Sequence, residues 1–173
     1  FFVECVAPDP RLFGAVRGDV FDDATGLPDL RYLDGIWTDN GYLPGPVDFD
    51  CALGVLRISP SPVPDARFRR CLEHACSCCL RSLDPIVRSG DGELAILLFG
   101  VGGMRGGREV MATFRKELAS RLEAERVVPS MRFGVTGILR NMSPLQIVNE
   151  ARKDLELRRD DREAASARGV AFR

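Results

Sequence analysis

Lysine is nearly missing from this 173-residue chain: Lys116 and Lys153 are the only two, and arginine carries almost all of the positive charge. There is one histidine, His74, and one tryptophan, Trp37. A basic excess is also missing, since 24 Lys+Arg against 25 Asp+Glu leave a formal net charge of −1. A domain devoted to a nucleic-acid polymer normally carries such an excess, so that partner class is excluded. A local arginine clamp is not, because a guanidinium fork recognises phosphate or guanine bidentately. No apolar run reaches the roughly 18 residues of a membrane span. The 17 glycines include no GxxxxGK[ST] pattern, which excludes a Walker-type phosphate loop. No signal-peptide pattern is visible. The first residue is Phe1 rather than Met, so the sequence is expected to be a piece of a longer protein.

What is present is an ordinary globular composition, 45% hydrophobic and 28% charged, of a length that suits one domain. Four of the six cysteines, Cys71, Cys76, Cys78 and Cys79, lie close together around His74. On a helix Cys71, His74 and Cys78 would share a face, which makes a metal site geometrically conceivable. No second ligand pair follows downstream, so the favoured reading is small apolar core residues on a buried helix. Adjacent free thiols point to a reducing cytoplasm.

The hydrophobic pattern predicts a lead-in over residues 1–22 and a first short helix after Asp23, with Thr25 as its cap. Residues 38–50 form a loop rich in Gly, Pro, Asp and Asn. Residues 51–59 form a buried strand, followed by an Asp65-capped helix from 66 to 83. The run 86–100 reads as strand, Gly-Asp-Gly turn and strand. GVGGMRGG, from Val101, reads as a flexible loop. A helix over 108–126, a strand over 131–138, a Ser143-capped helix and a C-terminal edge strand at GVAFR complete an α/β sandwich with a mixed central sheet. The basic stripe from Arg152 to Arg159 reads as a solvated helix face.

Two segments carry a resemblance. Asp23-x-Thr25-Gly26-Leu27-Pro28-x-x-Arg31-Tyr32-Leu33 is similar to D-x-T-G-L-x-N-R-R, the opening of GGDEF domains, the fold of bacterial diguanylate cyclases. Arg88-Ser89-Gly90-Asp91-Gly92-Glu93-Leu94 aligns without gaps to the family's R-Y-G-G-D-E-F hairpin. The elements follow the family's order from residue 23 to 173. The implied fold is α/β, a central sheet flanked by helices with the ferredoxin-like core of nucleotidyl cyclases.

The resemblance also implies a lost activity. In the active family the hairpin glycines hold GTP and the acidic third residue binds a metal. Here Asp91 replaces the second glycine and Gly92 replaces the metal-binding acid. The family's first strand ends in D-x-D/F, whose first aspartate binds magnesium, where this chain has Arg57-x-Ser59. An arginine there would repel a divalent cation. The following F-K-x-x-N-D segment is missing, and Ala151 to Arg159 is an eroded form of A-D-x-A-L-Y-x-A-K. The expectation is no catalytic residue, no metal, no catalytic cofactor and no cyclase activity. A polar β-turn with nothing bound is the favoured reading of Asp91 and Glu93.

One family feature is retained. Many GGDEF domains carry R-x-x-D, the I-site that binds the product cyclic di-GMP, with five residues between its Asp and the hairpin. Arg81-Ser82-Leu83-Asp84 stands at that spacing. The resemblance implies that Arg81 and Asp84 bind cyclic di-GMP, helped by a further arginine. Arg115 is the candidate, with Arg108 or a neighbouring copy as alternatives. The implied role is a cyclic di-GMP receptor at the end of a bacterial regulator, after receiver-like or sensory domains. Its output would be an altered association with a downstream protein or with a second copy. Its expected location is cytoplasmic, with recruitment to a pole or membrane by a partner. The open alternative is an interaction or dimerisation module that binds no nucleotide.

Overall fold

The computed structural model describes residue 21 and residues 26–39, 50–61, 65–138 and 142–169, with side chains to 35 in the first helix and to 158 in the last. The elements run α1 (Leu30–Asp39), β1 (Ala52–Ser59), α2 (Ala66–Cys79), β2 (Ile86–Gly90), β3 (Glu93–Leu98), α3 (Gly103–Ala124), β4 (Ser130–Gly137) and α4 (Pro144–Gly169). Most of the 1–22 lead-in, most of the 38–50 loop, the Thr25 cap and residues 170–173 of the expected edge strand lie outside the described residues.

The strands form one sheet in the order β2-β3-β1-β4. Each helical crossover joins strands that are not neighbours, so the strand between them runs the other way. All three ladders are therefore antiparallel. Among the described residues, parallel pairing, which a mixed sheet implied, is confined to an isolated bridge between Asp29 and Arg88. There the Arg88 N–H donates to the Pro28 carbonyl at 2.8 Å, and residues 28–29 cover the outer edge of β2.

The period-2 alternation of β1 sorts the core into two halves. Ala52, Leu56 and Ile58 face α2 and α3, with Leu72, Met111, Phe114 and Leu118 beneath them. Leu53 and Val55 face α1 and α4, against Leu33, Ile147, Val148 and Ala151. Arg57 continues the second series, so its side chain falls on the α4 face.

Local capping follows the sequence. The Asp65 carboxylate accepts the Arg67 and Phe68 N–H groups and starts α2. Ser143 and Gln146 exchange hydrogen bonds as a capping box ahead of α4. Two boundaries differ from expectation. The helix α2 ends at Cys79, because Leu80 is extended and residues 81–84 form a separate turn. The glycine-rich segment is not all loop: Gly103, Gly106 and Gly107 belong to α3. A Cβ on Gly107 would lie 2.6 Å from the Ala52 Cβ. Close contact between α3 and β1 offsets the low helix propensity of glycine.

On the opposite face α4 approaches β4 as closely. A Cβ on Gly134 would meet the Ala151 carbonyl oxygen at 2.1 Å and the Leu155 nitrogen at 2.5 Å, both backbone atoms that cannot rotate away. Gly134→Ala is expected to destabilise the domain by about 3 kcal/mol or more. Gly137→Ala, on the same strand with nothing within 4 Å, should be nearly neutral. Urea unfolding of both variants checks the contrast.

Candidate functional site

The segment matched to the GGDEF signature is the β2–β3 hairpin. Gly90 pairs with Glu93, and Asp91 and Gly92 make the turn. Gly92 has φ 61°, and its carbonyl accepts the Ile58 N–H at 2.7 Å. Asp91 is exposed and accepts the Ser61 hydroxyl at 2.7 Å. Leu94 turns into the core. Beside the turn an open cleft of about 510 Å³ is lined by Asp29, Arg31, Arg88 and Asp91. The Asp29 carboxylate is engaged by its neighbour Arg31 through Nε and Nη2, which holds it below the usual carboxylate range.

Glu93 is only 5% exposed and lies directly opposite Arg57 in the β1–β3 register. Its Oε2 accepts Arg57 Nη2 at 3.0 Å, and its Oε1 accepts Arg152 Nη2 at 2.6 Å and the Ser89 hydroxyl at 2.9 Å. Arg57 Nη1 also donates to Glu156, one helical turn from Arg152. A buried carboxylate needs such compensation. Burial alone would push Glu93 up; the guanidinium and hydroxyl bonds outweigh it and hold the carboxyl below its ordinary value. Glu93 is thus tied to β1 and α4 within the chain, and Arg152 is not part of a solvated stripe. It is half-buried and also donates to the Ser89 carbonyl. Lys153 and Arg158, by contrast, are exposed.

The R-x-x-D segment lies at the other end of β2, about 17 Å of strand from the turn. It is a β-turn beyond the helix, closed by the Asp84 N–H donating to the Arg81 carbonyl at 3.0 Å. The two side chains do not both face solvent. Asp84 is 8% exposed, and its carboxylate accepts the Arg81 N–H at 2.9 Å and the Phe99 N–H at 3.0 Å. Phe99 lies just past the end of β3, where its N–H needs an acceptor. Arg81 is exposed, and its Nη1 donates to the Phe99 carbonyl at 3.2 Å.

Arg115 does not join Arg81 within this chain. Its guanidinium stacks on Phe133 of β4, 5.7 Å from the ring centre, two strands away from β3. Arg108 lies on the same side of α3 and pairs with Asp154 at 2.8 Å. Two site-like contacts escaped the sequence reading. One is the Arg152–Glu93 pair. The other is Glu117 of α3, which joins His74 and Cys78, the pair expected on one face of α2, while Cys71 is buried in the core.

No family model matches the chain, and no curated protein is similar to it by sequence. Solved structures are similar in fold. The diguanylate cyclase SiaD of Pseudomonas aeruginosa, solved with its activator SiaC, superposes with a TM-score of 0.63 at 19% identity, covering 82% of this chain and 58% of that one. The GGDEF domain of DgcB from Caulobacter crescentus, in complex with c-di-GMP, gives 0.59 at 14% identity over 84% of this chain and 92% of that one. A microbial GGDEF domain solved for its interaction with cyclic di-GMP gives 0.60 at 16%, covering 82% and 94%. The chain therefore has the GGDEF fold, and it spans little more than half the length of the SiaD chain. No described helix is long and apolar enough to cross a membrane.

Two stability predictions follow from the two ends of β2. Glu93→Gln should cost about 3 kcal/mol at neutral pH by removing the buried charge that two half-buried guanidinium groups share. Because the folded-state value of Glu93 is depressed, its contribution is complete above the ordinary value of 4.5 and fades as pH falls through the depressed one. The variant should therefore lose less stability than the parent on acidification, read by chemical denaturation across that range. Asp84→Ala removes two charge-assisted bonds and should cost about 3 kcal/mol, whereas Arg81→Ala should leave the melting temperature nearly unchanged.

Proposed function

We propose that this domain does not synthesise cyclic di-GMP but binds it at the Arg81–Asp84 turn, and passes occupancy on to a protein partner or a second copy. The observation that carries the reading is the division of labour in the turn. Asp84 is spent on main-chain N–H groups and acts as a positioning residue. Arg81 is left exposed, with one guanidinium hydrogen bond among the described residues, to Phe99. Its remaining donors suit guanine O6 and N7 or a phosphate. The GGDEF fold supports this reading, as do the c-di-GMP complexes of DgcB and of the microbial domain. Arg115 is stacked on Phe133, so a further arginine would come from a second copy or a neighbouring domain.

The case against catalysis rests on charge. Two-metal phosphoryl transfer needs carboxylates facing the cations. Here Arg57 stands at the matching place on β1, Gly92 offers no side chain, and Glu93 is already neutralised by Arg57 and Arg152. A divalent ion at Glu93 would have to displace two guanidinium groups. The domain would work on the cytoplasmic face of bacterial signalling, as the output unit of a longer regulator.

A second reading is favoured by the same turn. If Asp84 is purely a backbone anchor, the domain is an interaction module that binds no nucleotide. Isothermal calorimetry with cyclic di-GMP separates the two. Micromolar or tighter binding that Arg81→Ala abolishes, with folding intact, supports the receptor. No binding by the parent chain leaves the interaction module. Incubation with GTP and magnesium should yield no cyclic di-GMP, and steady product formation would overturn the assignment as inactive.

A further inference from the structure

We infer that His74 and Cys78 of α2 and Glu117 of α3 form a Zn²⁺ site that clips the two helices together. The geometry is close to what the ion requires. His74 Nε2 lies 3.3 Å from Cys78 Sγ and 3.4 Å from Glu117 Oε1. Tetrahedral zinc with Zn–N and Zn–O near 2.0 Å and Zn–S near 2.3 Å places such donors about 3.3–3.5 Å apart. All three donor atoms lie within 4.8 Å of one another. Two of the three donor pairs, both through His74 Nε2, thus already stand at coordination separation.

The local chemistry suits the same ion. The set of one imidazole, one thiolate and one carboxylate is of mixed, borderline softness, which favours zinc over magnesium or calcium. On binding, the Cys78 thiol releases its proton to solvent, and thiolate and carboxylate together balance the two positive charges. His74 binds as neutral imidazole. The helical repeat puts His74 and Cys78 one turn apart on α2, and Glu117 faces them from α3. Arg121 Nε donates to the same Glu117 Oε1 at 2.9 Å, so the ion would share that oxygen with the guanidinium or take the carboxylate's other oxygen. Cys79 is a poor competitor. It packs against the core cluster, and its thiol is not among the donor atoms that come together. Three protein ligands leave a fourth position for water or for a donor from another molecule.

The clip is independent of cyclic di-GMP binding, because none of its residues belongs to the Arg81–Asp84 turn or to the hairpin. It can be tested on the whole chain after chelation and reduction. Titration with ZnCl2 should show one equivalent bound at micromolar affinity or tighter, with a rise in melting temperature. Co²⁺ should give a thiolate charge-transfer band. His74→Ala, Cys78→Ser and Glu117→Gln should each weaken binding about tenfold or more, whereas Cys76→Ser should leave it unchanged. All four side chains are at least partly exposed, so the metal-free melting temperature checks that each variant folds. The site is overturned if the parent shows no zinc-dependent stabilisation. It is equally overturned if Cys78→Ser binds as the parent does, or if Cys76→Ser abolishes binding.

Discussion

A single buried carboxylate organises one end of this domain. Glu93 sits on the sheet face that α4 covers, and an unpaired charge there would be costly. Arg57 and Arg152 reach it from different elements, one directly across the ladder and one from the covering helix. The network thereby fixes the hairpin, β1 and α4 relative to one another. It also decides the character of the place. The carboxylate is already met by two guanidinium groups, and Glu156 completes the balance.

The other end of β2 is built on the same kind of economy with a different result. Asp84 answers two backbone donors, one in its own turn and one beyond β3. The turn is held by its acid and displays its base. Strand β2 thus separates an end where arginines are consumed from one where an arginine is presented. The chain has the GGDEF fold at 19% identity or less to the solved structures it superposes on.

Much of the scaffold was legible in the sequence because local rules fix it. A short apolar run between turn signals marked β1, the Asp65 and Ser143 signals fixed two helix starts, and the Gly-Asp-Gly turn marked the hairpin. Contacts between distant elements were not legible in the same way. The eroded helix pattern concealed that Arg152 turns toward Glu93, 59 residues away. The cysteine spacing suggested Cys71 as a partner of His74, while Glu117 arrives from another helix. The glycine-rich stretch reads as loop by propensity, but packing against Ala52 recruits part of it into α3. The R-x-x-D string indicated its residues and not its conformation, because the Phe99 N–H that captures Asp84 lies 15 positions downstream.

Gly92 has a consequence for how this sequence could change over time. Its φ is 61°, its carbonyl is bound by Ile58, and a Cβ placed there would meet the Ile58 carbonyl oxygen at 2.6 Å. An acidic side chain at this position would therefore have to wait for a rearrangement of the end of β1. That rearrangement would disturb the strand carrying Arg57. The glycine is entrenched: its neighbours leave no room for a side chain, and any single substitution there meets that obstacle first.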